Sequence, residues 1–453
     1  MDATTRRLAD YASSLRYEGL TQDAVRETKR HLLDTLGCLL GGFDSPPAEI
    51  SRRLADAASG TPCSRVLGTQ AKTSMEMATF ANTVMLRYLD YNDTYISIGS
   101  GHPSDMIGAC LAVADAVGAS GRQTLLSIVV AYEIFGALAD QVPIRARGWD
   151  QGVFVVLGAA AGAAVLFDLD ANQTGDALAI AITANVATRQ TRAGELAMWK
   201  GCATAAAAKA GVFAAMLAKE GMTGPTEAFE GFNGAWDQVT GKFDLGPMGG
   251  EGRSFAIQRT NMKFFPSEYH SQAPMWMALN LRSRVQVSEI AQIDVKTYHI
   301  AFSEIGSEPE KWNPQTRETA DHSLPYLLAL ALMDGEIRVD SFTPDRMRDP
   351  ATIDLMRRIH ISESDEFTAR FPNEMVTEIV VTASDGGRHR EIAAYPRGHS
   401  KNPMTDAEVD TKFSALARGV MEDVAAQTLR RYVWDLDQQQ SIRNVLELIR
   451  FVR

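Results

Sequence analysis

The chain has 453 residues, 45% of them hydrophobic and 22% charged, with a formal net charge of −11. That length is too great for one hydrophobic core and predicts two domains. The acidic balance, with no Lys/Arg run, excludes a basic nucleic-acid face, and any anionic substrate would need its cations gathered locally.

The four cysteines, Cys38, Cys63, Cys110 and Cys202, form no C-x-x-C pair, so neither a zinc knuckle nor a disulfide framework is expected. A reduced, cytoplasmic setting is the expectation. The N-terminus has no apolar h-region of a secretory signal.

From the N-terminus to about residue 245 the pattern is helix after helix. Leu32, Leu33, Leu36, Leu39 and Leu40 recur at helical spacing, and 75–89, 106–117 and 124–138 continue it. The apolar run 152–167 is short for a membrane span and rich in Ala and Gly, so it predicts a buried core helix. Ala/Gly-rich segments at 158–164 and 203–210 allow close helix packing.

The glycine-rich stretch 246–252 predicts a flexible loop, and the texture then changes. Residues 293–298 alternate like a half-buried strand, and 377–382 and 390–395 flank Asp385-Gly386-Gly387 as a β-hairpin. A helix is predicted around 325–333. Thr405 with Glu408 forms a capping box, after which the chain returns to helix. The fold class is therefore mainly α with an α+β part. A helical domain is built from both chain ends, 1–259 and 404–453, and an α+β lid, 260–403, is inserted between them.

No phosphate-loop, dinucleotide or H-E-x-x-H motif occurs, so nucleotide and zinc chemistry start from low expectations. The chemistry-bearing residues lie in short clusters instead. Asp90, Asp93 and His102 share one stretch, where a carboxylate could orient and activate the imidazole. The alternative is that Asp93-Thr94 and Asp105 only form caps and turns. Lys200, after Trp199 at the start of an Ala-rich helix, could hold a carboxylate together with backbone N–H groups, or be a surface lysine packed on the indole. Lys263 to Gln272 is the densest cluster, at the handover to the inserted domain, where small ligands favour binding. His322 and Tyr326 would share one face if a helix ran through both. If Pro325 opens the helix, His322 and Ser323 become caps.

In order and spacing these clusters resemble the MmgE/PrpD family. The resemblance rests on Leu89-Asp90-Tyr91-Asn92-Asp93-Thr94, Gly101-His102-Pro103, Arg147-Gly148-Trp149-Asp150, Trp199-Lys200, 221–225, 263–272, His322-Ser323-Leu324-Pro325-Tyr326, 401–406 and Lys412-Phe413. It implies a site between the two domains, a homodimer, and neither metal nor organic cofactor. Nucleic acid and membrane are not among the expected partners. By motif, Asp93, His102, Lys200, Lys263, His270 and Tyr326 are the expected catalytic residues. Asp90, Thr94, Trp199, Ser271, Gln272 and His322 are the expected substrate contacts. The implied activity is a cofactor-independent lyase on a citrate-like tricarboxylate, foremost dehydration of 2-methylcitrate. Decarboxylation of cis-aconitate or epimerisation of iminodisuccinate is the alternative, and a non-enzymatic helical scaffold is the bland one. The sequence departs from the family at Gln151, where many dehydratase relatives carry His. Glutamine cannot exchange a proton.

Overall fold

A computed structural model describes residues 1–451. The helix Gly152–Leu166 is the centre of the larger domain, buried almost throughout. It packs against Gly121–Ala139 and Ala203–Lys219. Gly158 faces the Met106 sulfur and the Ala131 carbonyl, and Gly211 faces the Val156 carbonyl. A Cβ at either position would overlap these atoms, so glycine sets the spacing between helices. Each fully buried Leu or Val in this layer contributes roughly 1.5–3 kcal/mol.

The helix Gly121–Ala139 is long and apolar enough to cross a membrane by length and composition, but 89% of its apolar window is buried inside the fold. It is a core helix with a full capping box at Ser120.

The buried apolar residues form two principal clusters. One runs from Leu8 to Met262 and resumes at Met404. The other spans Phe265 to Ala383. The helix Asp406–Ala417 begins at the Thr405 capping box and packs against Gln22–Gly42. The chain's end thereby rejoins the helical domain.

The larger domain is not wholly helical. A two-stranded antiparallel hairpin, β1 (Cys63–Arg65) with β2 (Lys72–Ser74), pairs Cys63 with Ser74. At three residues each, these strands carry too little alternation to be read from sequence.

The smaller domain is built on a four-stranded sheet of order β4-β3-β5-β6, with β3 at Ile290–Thr297, β4 at Ile359–Glu363, β5 at Thr377–Ala383 and β6 at Arg388–Ala393. β3 runs parallel to β4 and antiparallel to β5, and β5 and β6 form the expected hairpin. β5 buries every second residue, Thr377, Ile379, Val381 and Ala383. The helix Gln272–Arg282 covers β5 and β6, and Leu324–Asp334 packs against that helix.

Candidate active site between the domains

Asp90 is the geometric centre of the site. It follows the helix Met75–Arg87 and adopts φ +49°, a left-handed conformation that Asp tolerates better than most residues. Its carboxylate is 1% exposed and faces five basic groups. Oδ1 accepts from Arg87 in a short contact and lies 3.1 Å from Lys263 Nζ and 3.8 Å from His102 Nε2. Oδ2 lies 3.5 Å from Lys200 Nζ and 3.6 Å from His322 Nε2. Burial alone would raise this carboxyl, but Arg87, Lys200, Lys263 and His322 outweigh it and hold it well below the usual carboxylate range.

Backbone pairing explains the assembly. Thr94 and Asn261 exchange both main-chain hydrogen bonds, at 2.7 and 2.8 Å. That places Lys263 beneath Asp90, where its ammonium also donates to the Asp90 carbonyl at 2.7 Å. Tyr95 and Gly101 pair in the same way and turn the chain back to His102.

His102 Nδ1 lies 2.7 Å from the Asp93 carbonyl oxygen and 3.2 Å from Thr94 Oγ1. A carbonyl can only accept, so this network assigns the proton to Nδ1 and leaves the Nε2 lone pair toward the cavity. Burial, together with Arg87 and Lys263, pushes the imidazole well below its usual pKa, so it is neutral at pH 7. The His102 amide donates to Gln151 Oε1. Gly101 makes room for this contact, since a Cβ there would strike the same oxygen. Gln151 therefore tethers the backbone of His102, a task that needs no titratable group.

Asp93 is brought to His102 by its carbonyl and not by its carboxylate. The carboxylate instead accepts from the Ser104 amide at 3.0 Å and Tyr132 at 2.7 Å, and lies 2.9 Å from His31. It anchors the loop from behind.

The smaller domain supplies the opposite wall. Thr316 and Thr319 donate to Glu195 at 2.8 Å, and Arg317 reaches the Tyr88 carbonyl at 3.3 Å. These bonds hold Asp321 and His322 over Asp90. His322 Nδ1 donates to Asp321 in a short contact, and burial and Lys200 lower its pKa. Lys200 Nζ bridges Asp90 and Asp321, the latter at 3.7 Å. Burial brings Lys200 down to about 8, against the pull of Asp321 and Asp90.

Asp90, Asp321 and His322 offer ligand atoms within 4.8 Å of one another, a spacing that could suit a metal ion. The Lys200 ammonium stands beside both carboxylates and already supplies the positive charge. A divalent cation there would face strong repulsion.

The cavity above Asp90 is only about 30 Å³, room for one or two waters. Asp90, His102 and His322 line it, along with Arg145, Asp150, Gln151, Arg189, Arg192, Glu268, Glu304 and Lys311. Lys200 and Lys263 stand directly behind Asp90, and Thr94 behind His102.

The remaining candidates lie elsewhere. Tyr326 is fully buried in the core of the smaller domain and donates to the Ser341 carbonyl at 2.7 Å. Ser323 caps the helix Leu324–Asp334, so His322 lies outside it and the shared face with Tyr326 does not form. Trp199 is 53% exposed and borders a separate groove of about 370 Å³ near Gly152 and Ala184. That groove is larger but has no titratable side chain, so it offers nothing for proton transfer. His270 sits behind Glu268, with Nδ1 2.5 Å from the Tyr298 hydroxyl. Ser271 and Gln272 shape the turn: Gln272 Oε1 accepts from the Phe264 and Phe265 amides, both at 2.9 Å, and Ser271 donates to the Glu268 carbonyl at 2.6 Å.

Sequence reasoning missed Arg87, Arg145, Arg189, Arg192, Glu304 and Lys311. Arg87 is a local i,i+3 partner of Asp90 and Arg189 and Arg192 share one turn, but none stands in the clusters of acid, base and aromatic groups singled out above, and the fold alone brings them to the site. Asp150 was visible as part of a quoted motif.

The helical region, residues 6–248, matches the model of the MmgE/PrpD N-terminal domain, and residues 265–438 match that of the C-terminal domain. The chain is 28% identical to a 2-methylcitrate dehydratase of Escherichia coli (strain K12), over 87% of this chain and 85% of that protein. It is 29% identical to the alkylcitrate dehydratase phiI of a fungal species (strain ATCC 74256), over 86% and 83%. It is 25% identical to the cis-aconitate decarboxylase-like protein oryM of Aspergillus oryzae (strain ATCC 42149 / RIB 40), over 98% and 97%. With both halves matched in order, the chain belongs to the MmgE/PrpD family.

Proposed function

We propose that this protein is a lyase that dehydrates a citrate-like tricarboxylate, with 2-methylcitrate the foremost candidate and 2-methylaconitate the product. The observation that carries the reading is one buried carboxylate, Asp90, flanked by a neutral imidazole and a lysine of depressed pKa in the cleft between two domains. The names of the dehydratase relatives support the same chemistry.

In this mechanism His102 Nε2 takes the proton from the carbon beside a substrate carboxylate. The electron pair left behind delocalises into that carboxylate, and the ammonium groups of Lys200 and Lys263 stabilise the growing negative charge. The C–O bond to the β-hydroxyl then breaks as Lys200, uncovered when the smaller domain carries Asp321 away from it, delivers a proton, and water leaves. An ammonium with a pKa near 8 is a stronger acid than an ordinary lysine, which suits it to this step. Solvent restores the proton to Lys200 and removes the one on His102. His322, held by Asp321, is the second group within reach of the departing oxygen. Tyr326, buried in the other core, has no part in it.

The cavity, at about 30 Å³, is several water volumes too small for such a substrate. Loading therefore requires the smaller domain to move away from the helical one. We also propose that the protein works as a homodimer, which light scattering on the purified protein would test.

The deciding experiment is proton NMR of the purified protein in D₂O with 2-methylcitrate, citrate, cis-aconitate and iminodisuccinate in turn. Water loss from one of the first two supports dehydration. Carbon dioxide loss from cis-aconitate, or exchange without net loss from iminodisuccinate, would reassign the reaction within the family. Inertness toward all four would reject the proposal.

A further inference from the structure

We propose that Arg145 and Arg189 form a second carboxylate subsite, which the protein's own Glu304 occupies while the site is empty. This deepens the reading above and rests on its polycarboxylate substrate, adding the place where a carboxylate distant from the reacting carbon is bound.

Glu304 lies on the helix His299–Ile305 of the smaller domain. Both oxygens of its carboxylate accept from Arg189 Nη2, one at 2.5 Å. Arg145 Nη1 stands 3.7 Å from the same group. The two arginines belong to the helical domain, on the short turns Ile144–Arg147 and Arg189–Arg192. Arg189 is mostly buried, with only 20% of its side chain exposed. All three residues line the cavity that holds Asp90, His102 and His322.

Two features argue that this pair does more than tie the domains together. Two guanidinium groups converge on one carboxylate at the wall of a cavity: Arg189 Nη2 touches both Glu304 oxygens and Arg145 adds a second positive charge 3.7 Å away, a cation pair suited to an incoming carboxylate. The neighbouring Arg192 is committed to Asp150 at 2.6 Å, which Arg189 approaches only at 3.9 Å, so the near partner of Arg189 and Arg145 is the carboxylate carried by the movable domain. Opening the cleft withdraws Glu304 from Arg189. It exposes the two arginines at the moment a substrate could enter, and a substrate carboxylate then takes the place Glu304 has left. Glu304 thus competes with the ligand, and Arg189 binds it.

The test is binding of tricarballylate, an unreactive tricarboxylate without the hydroxyl, measured by isothermal titration calorimetry. Wild-type protein, Glu304→Gln and Arg189→Gln are compared, with circular dichroism confirming that each is folded. Glu304→Gln keeps the shape but loses the charge, and tricarballylate should bind several-fold tighter. Arg189→Gln should weaken binding about tenfold, the value of one charge-assisted contact. Opposite signs support the subsite. If both variants bind tighter, the pair is only a latch that resists opening. If both bind more weakly, it is only a structural brace. Either result overturns the proposal, as does an unchanged affinity in both variants or no binding to the wild type. Because tricarballylate is not turned over, the outcome stands apart from the reaction assay: absence of turnover with intact sign opposition would reject the dehydratase and keep the subsite.

Discussion

Replacing Asp90 separates the electrostatic and conformational demands of the site. Lys263 Nζ at 3.1 Å and Lys200 Nζ at 3.5 Å each attract the carboxylate by about 5 kcal/mol at an effective dielectric of 20. Much of that attraction offsets the desolvation of three buried charges, so the net cost of removing one partner is roughly 3–5 kcal/mol. Asp90→Asn preserves shape and tolerates φ +49°, so it should show that cost alone, as a fall in Tm of roughly 5 °C or more by calorimetry. Asp90→Ala adds about 1–2 kcal/mol for placing an ordinary side chain in the left-handed region. Asp90→Gly avoids that strain and should be more stable than Asp90→Ala by about 1 kcal/mol. All three should lose turnover, because Lys200 and His322 lose the charge that arranges them. An Asp90→Asn protein as stable as the wild type would refute the counter-ion role. An alanine variant no worse than the glycine variant would refute the backbone argument.

His102→Gln retains a hydrogen-bonding group but cannot accept the substrate proton, so kcat should fall by at least about two orders of magnitude while KM changes little; near-native kcat would remove His102 from the mechanism. Lys200 must be protonated to release the hydroxyl, so kcat should decline as pH rises through about 8, and Lys200→Arg, whose guanidinium cannot give up a proton, should lose kcat at every pH. Tyr326→Phe removes one buried hydrogen bond to the Ser341 carbonyl. It should cost about 1 kcal/mol of stability with kcat intact, and a large kcat loss would return Tyr326 to the site. Activity should survive prolonged EDTA treatment, and restoration of lost activity by a divalent ion would indicate that the Asp90, Asp321 and His322 group holds a metal after all.

What could be read from the sequence depended on how local each signal was. The helices of the larger domain, the β5–β6 hairpin and the Thr405 cap are written in short-range periodicity and turn chemistry, and they form as read. The parallel partner β4 was missed because its pairing with β3 joins Ile293 to Ile359 across a long insertion. The fate of Tyr326 turned on one residue of helix phase. With Ser323 as cap, His322 points to the cavity and Tyr326 into the core. Asp90 was seen as one acid among several, since nothing near it in sequence shows that Lys200, Lys263 and His322 converge there. Arg145, Arg189 and Glu304 left no local trace at all.

Lys412, near the end of the chain, pairs with Asp34 at 2.6 Å and donates to the carbonyls of Tyr91 and Lys263, both at 2.8 Å. It ties together the two loops that carry Asp90 and Lys263, while its own helix covers the one near the start of the chain. During synthesis, domains generally fold as units. The contiguous smaller domain can reach its fold while the ribosome is still translating, but the helical domain cannot close until its last helices emerge. The reaction centre is therefore completed by a helix translated after every residue that lines the cavity. A nascent chain released early, even one containing every residue that lines the cavity, would lack the fastening that sets Asp90 against its lysines.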